Sequence, residues 1–556
     1  MKYWFIIVLL LWISRAQAQV GTCEPALAEA FLEVGNVRAR IFNNGGLFWR
    51  GSPHAYEVPK GGGASAIFSA NIWVGGMIGE DIRTAATRYG PWEFWAGPLD
   101  DNGNPPASCK QFDKIWEITR SDLETFVRSG DVSSNLKNWP WHLGAPVIDG
   151  DGNPNNYNLQ GGDMPALLGD QRLWWIMNDR GNVHEASDTA PIGLEVHASA
   201  HAFAHPGFIG NNTFYEYKLI NKNSLPFKHA FFGFFKDSDL GNFDDDYVGS
   251  DSLLHLGFTY NADNDDEGGE GYGTAPPAVG ITFLETIPAD ADNYDNNRDG
   301  QIDEPGEKIG AYGMMKVTGG GAPNGEPILG PDYYNYMQSR WKDGTALLAG
   351  LRGYFRNLTQ DGALLNREVT RFAFSGDPVT KAFWSEFDSD GEGTPLYPGD
   401  RRNALSTGPF TIGRGDTVVV RFAIVWARGS DNLDSVSQLR KDVSSIHDFA
   451  DSFYAPVMVE SETVHTQQDF VLGLDQNFPN PFTQTTTLRY SLPQTMQVRL
   501  AVYDILGRQV ALLVDAQQEA GIHTADFDAG DLPAGVYLAR IELDFLRFTK
   551  RMILLR

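Results

Sequence analysis

Short runs that alternate apolar and polar residues, separated by turn-forming residues, fill most of the chain before residue 430. Examples are "SAIFSANIWVGG", "TFYEYKLINK" and "HAFFGFFKDSD", which are rich in aromatic and β-branched residues. A period of two with this composition is typical of strands. The run "LEVGNVRARIFNNGGLFW" predicts two strands around an Asn-Asn-Gly-Gly turn, which is a hairpin pattern. These runs predict a large β-rich body.

One later segment repeats its apolar residues at spacings of three and four. It begins around Asn432, and its apolar positions are Leu433, Val436, Leu439, Val443, Ile446 and Phe449. This spacing predicts an amphipathic helix that buries one face. It follows "DTVVVRFAIVWARG", which predicts a long strand. The expected fold class is therefore mainly β, with a few helices in the body.

The pattern changes again after residue 456. Residues 457–474 are polar and show no periodicity, so we interpret them as a linker between a body at 19–456 and a terminal domain at 475–556. That domain contains short strand-like runs, from "TTLRYSL" and "QVRLAVYD" to "GVYLARIEL" and "FTKRMILL". Turn residues separate the runs at intervals of about ten, which predicts a small β-sandwich.

Several motifs in the terminal domain resemble the type IX (Por) secretion system C-terminal sorting domain. They are "NFPNPF", "VYDILG", "LPAGVY" and a final Lys-Arg pair, and the motif positions are Asn480, Pro481, Phe482, Tyr503, Asp504, Gly507, Gly535 and Tyr537. The resemblance implies an Ig-like sandwich that the outer-membrane secretion machinery of Bacteroidota-type bacteria recognises. It also implies passage through the periplasm to the cell surface or the medium. In some members the domain is cleaved and the cargo is attached to surface polysaccharide. The body resembles uncharacterised secreted proteins that carry this domain, which implies no activity.

The N-terminus predicts a second export signal. Lys2 precedes an apolar run from Tyr3 to Ile13, and the small-x-small sequence Ala16-Gln17-Ala18 follows. This is the pattern of a secretory signal peptide over residues 1–18. The apolar run is too short for a transmembrane helix, and no later run approaches the ~20 apolar residues that a span needs. We therefore expect no transmembrane span.

The charge balance argues against nucleic acid as a partner. The chain has 71 Asp and Glu against 44 Lys and Arg, which gives a net charge of −27. Phosphate backbones require a positive surface. Abundant carboxylates instead offer oxygen ligands for hard cations such as Ca²⁺.

The chain contains two cysteines, Cys23 and Cys109. In an oxidising, exported setting they most simply form a disulfide that ties the mature N-terminus to the body. Lipidation of Cys23 and two free structural thiols are the alternatives.

The segment "DADNYDNNRDGQIDEPGEK", residues 290–308, matches the first eight positions of an EF-hand calcium loop. We expect a structural Ca²⁺ ion bound by Asp295, Asn297, Asp299, Gln301, Asp303 and Glu307. The sequence departs from the family at the twelfth position, which is Gly306, and no helices flank the loop. A solvated acidic turn is the alternative.

A second set of calcium ligands lies in "DSDLGNFDDDYVGSD", namely Asp237, Asp239, Asn242 and Asp246. A third candidate, "IDGDGNPNN", offers Asp149, Asp151 and Asn153. Both segments are also ordinary turns, because Asp, Asn and Gly favour turns without any metal.

Two other clusters suggest chemistry. His197, His201 and His205 are four residues apart, but the strict alternation around them predicts a strand, where four residues span about 13 Å and cannot share one zinc ion. We expect a solvated histidine face. The second cluster, in "GDQRLWWIMNDRGNVHEASD", places Trp174 and Trp175 near several carboxylates, a combination that stacks on sugars and hydrolyses glycosides when the carboxylates are correctly spaced.

Two functions fit these patterns. The first is a calcium-stabilised structural, adhesive or binding protein at the cell surface or in the medium, in contact with the secretion machinery and with surface polysaccharide. The alternative is a secreted hydrolase that acts on polysaccharide. The sequence contains no Gly-x-Ser-x-Gly or His-Glu-x-x-His motif, so we assign no catalytic residue.

Overall fold

A computed structural model describes residues 21–49, 51, 56–284, 287–288, 307–354, 367–454, 473–474 and 477–555, the last range without 478, 481, 493–494, 505–507, 531, 534 and 544–545. The predicted signal peptide lies outside the described residues. So do the acidic loop up to Gly306 and the linker before Gly473.

The body consists mainly of antiparallel strands. In chain order they are β1 (Glu29–Leu32), β2 (Arg38–Phe42), β3 (Gly46–Leu47), β4 (Tyr56–Glu57), β5 (Ser65–Ile67), β6 (Ser69–Ile78), β7 (Asp81–Ala85), β8 (Trp95–Ala96), β9 (Trp116–Thr119), β10 (Val147–Ile148), β11 (Met164–Pro165), β12 (Gln171–Asn178), β13 (Leu194–Ala202), β14 (Thr213–Asn221), β15 (Phe227–Asp237), β16 (Asp246–Asp251), β17 (Leu256–Asn261), β18 (Asp265–Asp266), β19 (Gly273–Thr274), β20 (Ala278–Leu284), β21 (Ile287–Pro288), β22 (Lys308–Ile309), β23 (Ala311–Val317), β24 (Arg402–Ile412) and β25 (Thr417–Ala427).

Two large sheets contain most of these strands. Sheet 1 has the order β23-β24-β15-β6-β3-β2-β4-β5, with β1 beside β2 and β7 beside β6. Sheet 2 has the order β16-β17-β20-β25-β14-β13-β12-β8, with β9 beside β12. The predicted hairpin is present, since β2 and β3 pair through Ile41 and Leu47 across the Asn-Asn-Gly-Gly turn.

The two sheets pack face to face. Phe234 of sheet 1 lies 4.8 Å from Phe422 of sheet 2, measured between ring centroids, and both belong to one continuous buried cluster. Because side chains alternate between the faces of a strand, the neighbours Phe235 and Ala423 point to the outer faces. The mainly β fold class predicted from the sequence is confirmed.

The outer faces are covered by helices. The described residues contain four α-helices: α1 (Arg120–Ser129), α2 (Ser134–Lys137), α3 (Gly330–Met337) and α4 (Asn432–Tyr454). Helix α3 packs on sheet 1, where Tyr333 meets Trp73 edge to face at 4.9 Å. Helix α4 packs on sheet 2 through Val436, Leu439, Val443 and Ile446, which are all buried, so the predicted amphipathic helix is confirmed. None of the described helices is both long enough and apolar enough to cross a membrane.

The C-terminal domain is a separate two-sheet unit. Its strands are β26 (Gly473–Leu474), β27 (Thr485–Leu492), β28 (Met496–Asp504), β29 (Gln509–Gln518), β30 (Gly521–Asp528), β31 (Gly535–Leu543) and β32 (Leu546–Leu554). One sheet has the order β26-β27-β30 and the other β29-β28-β31-β32. Leu488, Val498 and Ile541 contribute to the shared core, which matches the predicted small sandwich.

The predicted disulfide is present between Cys23 and Cys109, whose Cα atoms are 5.4 Å apart. Both cysteines are buried against Trp95. The bond fixes the described N-terminal segment onto the edge of sheet 2, where the backbone N–H of Cys23 also donates to the carbonyl of Gly181 at 2.8 Å.

Replacing both cysteines, as Cys23→Ser with Cys109→Ser, should lower the free energy of unfolding by about 2–5 kcal/mol, because the bond constrains a long loop of the unfolded chain. Thermal unfolding of the variant and of the wild type under reducing conditions measures this effect. The two samples should melt at the same lowered temperature. A variant that melts with the oxidised wild type would contradict a stabilising role.

Candidate functional site

Three neighbouring strands of sheet 1, β6, β15 and β24, begin or end at the same end of the sheet. β15 ends at Asp237, which lies opposite Arg402 at the start of β24 and opposite Ser69 at the start of β6. The residue before β6, Phe68, donates its backbone N–H to the carbonyls of Asp237 and Ser238. Strand pairing therefore places charged and aromatic residues from distant parts of the sequence next to each other.

A polar network centred on Arg402 occupies this end of the sheet. Tyr89 donates its hydroxyl to Oδ2 of Asp237 at 2.5 Å, and Arg402 donates from Nε to the Tyr89 hydroxyl at 2.8 Å. The same guanidinium lies 3.3 Å from Asp237 Oδ2 and donates from Nη2 to Asp400 Oδ2 at 2.5 Å. One cation thus orients two carboxylates, and charge-assisted bonds of this kind are stronger than neutral ones.

A third carboxylate joins the network from Asp239. Its backbone has a φ of 40°, in the left-handed region that residues other than Gly, Asn and Asp rarely occupy. Carboxylate oxygens of Asp237, Asp239 and Asp400 lie within 4.8 Å of one another. Oδ1 of the buried Asp237 has no hydrogen-bond partner among the described residues, so it remains available to a ligand.

Aromatic side chains line the space in front of the carboxylates. Trp49 lies 5.7 Å from Phe68 and 6.3 Å from Tyr89, measured between ring centroids, and Phe243 is half exposed on another side. The cavity lined by these four aromatics, Asp237, Asp239, Asp400 and Arg402 has a volume of about 330 Å³. We call it the acidic–aromatic pocket.

Burial and crowding of like charges change the acidity of the pocket carboxyls. Burial, together with the charges of Asp237 and Asp400, raises the pKa of Asp239 to about 7, although Arg402 opposes the shift. Burial also raises the pKa of Asp237, against the opposing effect of Arg402. Near neutral pH the pocket therefore contains a carboxyl group that can both donate and accept a proton.

The structure brings together only part of the second set of predicted metal ligands, and metal binding by it stays a prediction. Asp237 and Asp239 do come together, but their third partner is Asp400, which the sequence did not suggest. Asn242 and Asp246 face elsewhere: Asn242 donates its backbone N–H to Asp266, and Asp246 accepts from the backbone of Leu240. The four residues are therefore not brought together, because Asp237 ends a strand of sheet 1 whereas Asp246 begins a strand of sheet 2.

The tryptophan cluster is structural rather than a sugar platform. Trp174 and Trp175 are both buried on opposite faces of β12. Asp179 accepts three backbone N–H groups, from Ile192, Gly193 and Leu194. The hypothesis of a glycan site at these tryptophans is therefore wrong.

The histidine segment forms the predicted strand, β13. The expectation of a solvated face is wrong for His201, which is fully buried and stacks on Phe214. Burial, assisted by the charge of Arg172, lowers the pKa of His201 to about 3. This side chain therefore stays neutral and acts as part of the core.

The structure describes one of the two remaining acidic segments fully and the other only at its end. Asp149 and Asp151 lie together, with Asp163 as a third carboxylate in place of the expected Asn153, and backbone or amide N–H groups donate to all three. In the segment at 290–308, Asp295, Asn297, Asp299, Gln301 and Asp303 are outside the described residues, while Glu307 is buried. Calcium binding by that loop stays a prediction.

The terminal motif residues mostly support the fold of their domain. Buried Phe482 forms a bridge with Leu554, and the hydroxyl of buried Tyr537 donates to the carbonyl of Pro533 at 2.8 Å. The guanidinium of Arg540 lies over the ring of Tyr503 at 4.6 Å. Asn480 is half-buried, Asp504 ends β28 and Gly535 begins β31, while Pro481 and Gly507 are outside the described residues.

Comparison with known proteins identifies the C-terminal part of the chain. Residues 476–555 match the family model described as the secretion system C-terminal sorting domain. No curated protein matched the chain. Among solved structures the chain is similar to a polysaccharide lyase at 7% identity, with a TM-score of 0.17, over 65% of this chain and 34% of that one. The chain thus spans about a third of that enzyme, and the low TM-score gives no basis for relating the two folds.

The substitution Asp239→Asn should change how stability depends on pH. The pKa of Asp239 lies near 7 in the folded state and near 3.8 in the unfolded state, so its proton stabilises the fold fully below pH 4, and this stabilisation is lost as the pH rises through 7. At pH 8 the free energy of unfolding of the variant should therefore exceed that of the wild type by on the order of 1–3 kcal/mol. The difference should be smaller at pH 4.

Urea unfolding at the two pH values measures this difference, with Asp244→Asn as the control because Asp244 is exposed on the same connection. Asparagine tolerates the left-handed backbone of position 239. Equal curves for Asp239→Asn and wild type at pH 8 would contradict a buried, protonated carboxyl.

Proposed function

We propose that the body of this protein is a calcium-stabilised glycan-binding protein. The chain carries a type IX secretion system C-terminal sorting domain, and it is therefore exported to the cell surface or secreted. The sorting domain implies contact with the secretion machinery. The observation that carries the binding proposal is the acidic–aromatic pocket at the ends of strands β15 and β24 in sheet 1.

The pocket has the two kinds of surface that bind a sugar ring. The faces of Trp49, Phe68 and Tyr89 supply apolar area that matches the C–H face of a pyranose. The carboxylates accept hydrogen bonds from sugar hydroxyls, and Arg402 holds two of them in place before the ligand arrives. A volume of about 330 Å³ falls in the range of small-molecule sites and accommodates one or two sugar units.

The charge of the pocket favours neutral or amino-bearing glycans over uronates. Three carboxylates face one guanidinium, so the pocket stays negative even when Asp239 is protonated. Moving an acidic sugar next to these groups costs free energy through like-charge repulsion. A neutral or cationic sugar avoids that cost.

Trp49→Ala should weaken glycan binding at least about fivefold, because it removes the largest stacking face of the pocket. An array of neutral, amino-bearing and uronate oligosaccharides, followed by titration calorimetry with the strongest neutral or amino-bearing ligand, measures this effect on the full exported chain. Tyr397→Ala is the matched control, since Tyr397 is almost fully exposed and lies outside the pocket.

Two outcomes would contradict the proposal in different ways. Binding that is equal in Trp49→Ala and Tyr397→Ala, or absent from the whole array, would contradict a glycan site in this pocket. Release of shorter oligosaccharides that stops in Asp239→Asn would instead identify a hydrolase, an activity favoured by a carboxyl with a pKa near 7 beside a second carboxylate.

The calcium part of the proposal rests on the loop at 290–308. Removal of Ca²⁺ with EDTA should lower the melting temperature of the wild type, because a bound ion stabilises only the folded loop. Asp299→Ala should lose much of this sensitivity, whereas Asp292→Ala, which changes an acidic residue outside the alternating positions, should keep it. Identical EDTA shifts in the wild type and Asp299→Ala would argue against a calcium site in this loop.

A further inference from the structure

A second acidic cluster lies behind the acidic–aromatic pocket, where β16 and β17 pair. Asp246 begins β16 and lies directly opposite Asn261, the last residue of β17. Asp245 precedes β16, and its carbonyl accepts the backbone N–H of Ala262 at 2.8 Å. Because opposite residues of an antiparallel pair project to the same face, the side chains of Asp246 and Asn261 are neighbours.

The oxygens of this cluster are buried and unsatisfied. Asp246 and Asn261 are both completely buried. Asp246 Oδ2 accepts from the backbone of Leu240 at 3.1 Å, but Asp246 Oδ1, Asn261 Oδ1 and both carboxylate oxygens of Asp245 meet no hydrogen-bond criterion with a partner in the part of the chain that the structure describes. The amide Nδ2 of Asn261 is likewise unpartnered, and its proximity to Asp245 partly opposes the rise that burial causes in the pKa of that carboxyl. Burying ionised carboxylates in this way costs several kcal/mol unless a cation compensates for the lost water.

The neighbouring charged groups supply only part of that compensation, because the Lys236 ammonium attracts the Asp246 carboxylate without forming a hydrogen bond to it. Asp266 adds negative charge, and its own oxygens already accept backbone N–H groups from Asn242 at 2.9 Å and Tyr272 at 2.6 Å. The buried Lys236 ammonium donates to Thr259 at 2.9 Å and to the carbonyl of Val279 at 3.2 Å, not to these carboxylates. The four oxygens are therefore compensated either by protons on the carboxyl groups or by a bound cation.

We propose that Asp245, Asp246 and Asn261 bind one Ca²⁺ ion. Asp245 offers two oxygens and the other two residues one each, which gives four protein ligands of the carboxylate and amide type that Ca²⁺ selects. Water and backbone carbonyls complete the six to eight ligands of this ion. Mg²⁺ fits less well, because it retains several waters and a strict octahedral geometry that a dry, mostly buried site does not accommodate.

The proposed ion has a structural consequence for the pocket. The connection from β15 to β16 contains Asp239 and Phe243, which line the pocket, and ends at Asp245 and Asp246. A cation at the end of this connection fixes two of the pocket residues that lie outside the strands. The inference adds a site to the proposed calcium stabilisation, and it does not depend on which ligand the pocket binds.

Charge-neutralising substitutions distinguish a metal site from a cluster of protonated acids. Burial, with Asp266 and Glu267 nearby, raises the pKa of Asp245 to about 6, so protonation is the competing explanation. Asparagine resembles a protonated aspartic acid in shape and charge. If the cluster holds protonated acids, Asp245→Asn and Asp246→Asn should leave the stability unchanged or increase it. If the cluster binds a metal ion, both substitutions should weaken metal binding and lower the stability.

The experiment measures bound calcium and melting temperature on the full exported chain, with CaCl₂ as the probe. All variants carry Asp299→Ala as the background, so that the loop at 290–308 does not contribute to calcium binding. In that background one Ca²⁺ should bind per chain and should raise the melting temperature. Asp245→Asn and Asp246→Asn should each lower the affinity for this ion by at least about tenfold. Asp244→Asn, the exposed neighbour, should behave as the background does.

If Asp245→Asn binds the same amount of calcium with the same affinity, or if the background binds none, the inference is overturned. Should Asp246→Asn not fold, Asp245→Asn alone decides, because its side chain is only partly buried and tolerates exchange better. Glycan binding measured with Trp49→Ala tests the pocket separately, so the failure of one proposal is distinguishable from the failure of the other.

Discussion

The packing of sheet 1 against sheet 2 is the contact on which the rest of the body depends. Phe232 and Phe234 of β15 pack on Phe422 of β25, and helices α3 and α4 then cover the two outer faces. The central strands are therefore buried on both sides, and the charges within them are paired: Glu216 of β14 forms ion pairs with Arg421 of β25 and Arg172 of β12. In sheet 1, a further group of charged residues lies where the strands begin and end, which is where Asp237 and Arg402 meet.

This arrangement explains why both proposed ligand sites lie near one end of β15. The interior of a strand satisfies its polar backbone through the sheet, whereas the connection after it must satisfy side chains and backbone by other means. At the end of β15, Arg402 pairs with Asp237, whereas both oxygens of Asp245 and Oδ1 of Asp246 lack a hydrogen-bond donor among the described residues. The pocket and the buried cluster are thus two results of crowding acidic residues into a short connection between covered strands.

The sequence predicts features that depend on local periodicity and much less of what depends on long-range pairing. Helix α4, the Asn-Asn-Gly-Gly hairpin, strand β13 and the terminal sandwich all follow from spacing alone. Asp400 joins Asp237 only because β24 pairs with β15, and no periodicity reveals which strands are neighbours. For the same reason the burial of Trp174 and Trp175 on both faces of β12 was not predicted, since an aromatic-rich strand looks alike in a core and at a binding surface.

The order of strands in sheet 1 also governs how the body folds. Its centre joins β6, β15 and β24, so residues near positions 70, 235 and 405 must meet before the sheet can close. Such non-local pairings carry a large loop-closure cost and slow the folding of a chain. The central pairings of sheet 1 are therefore complete only once β24, near the end of the body, has been synthesised.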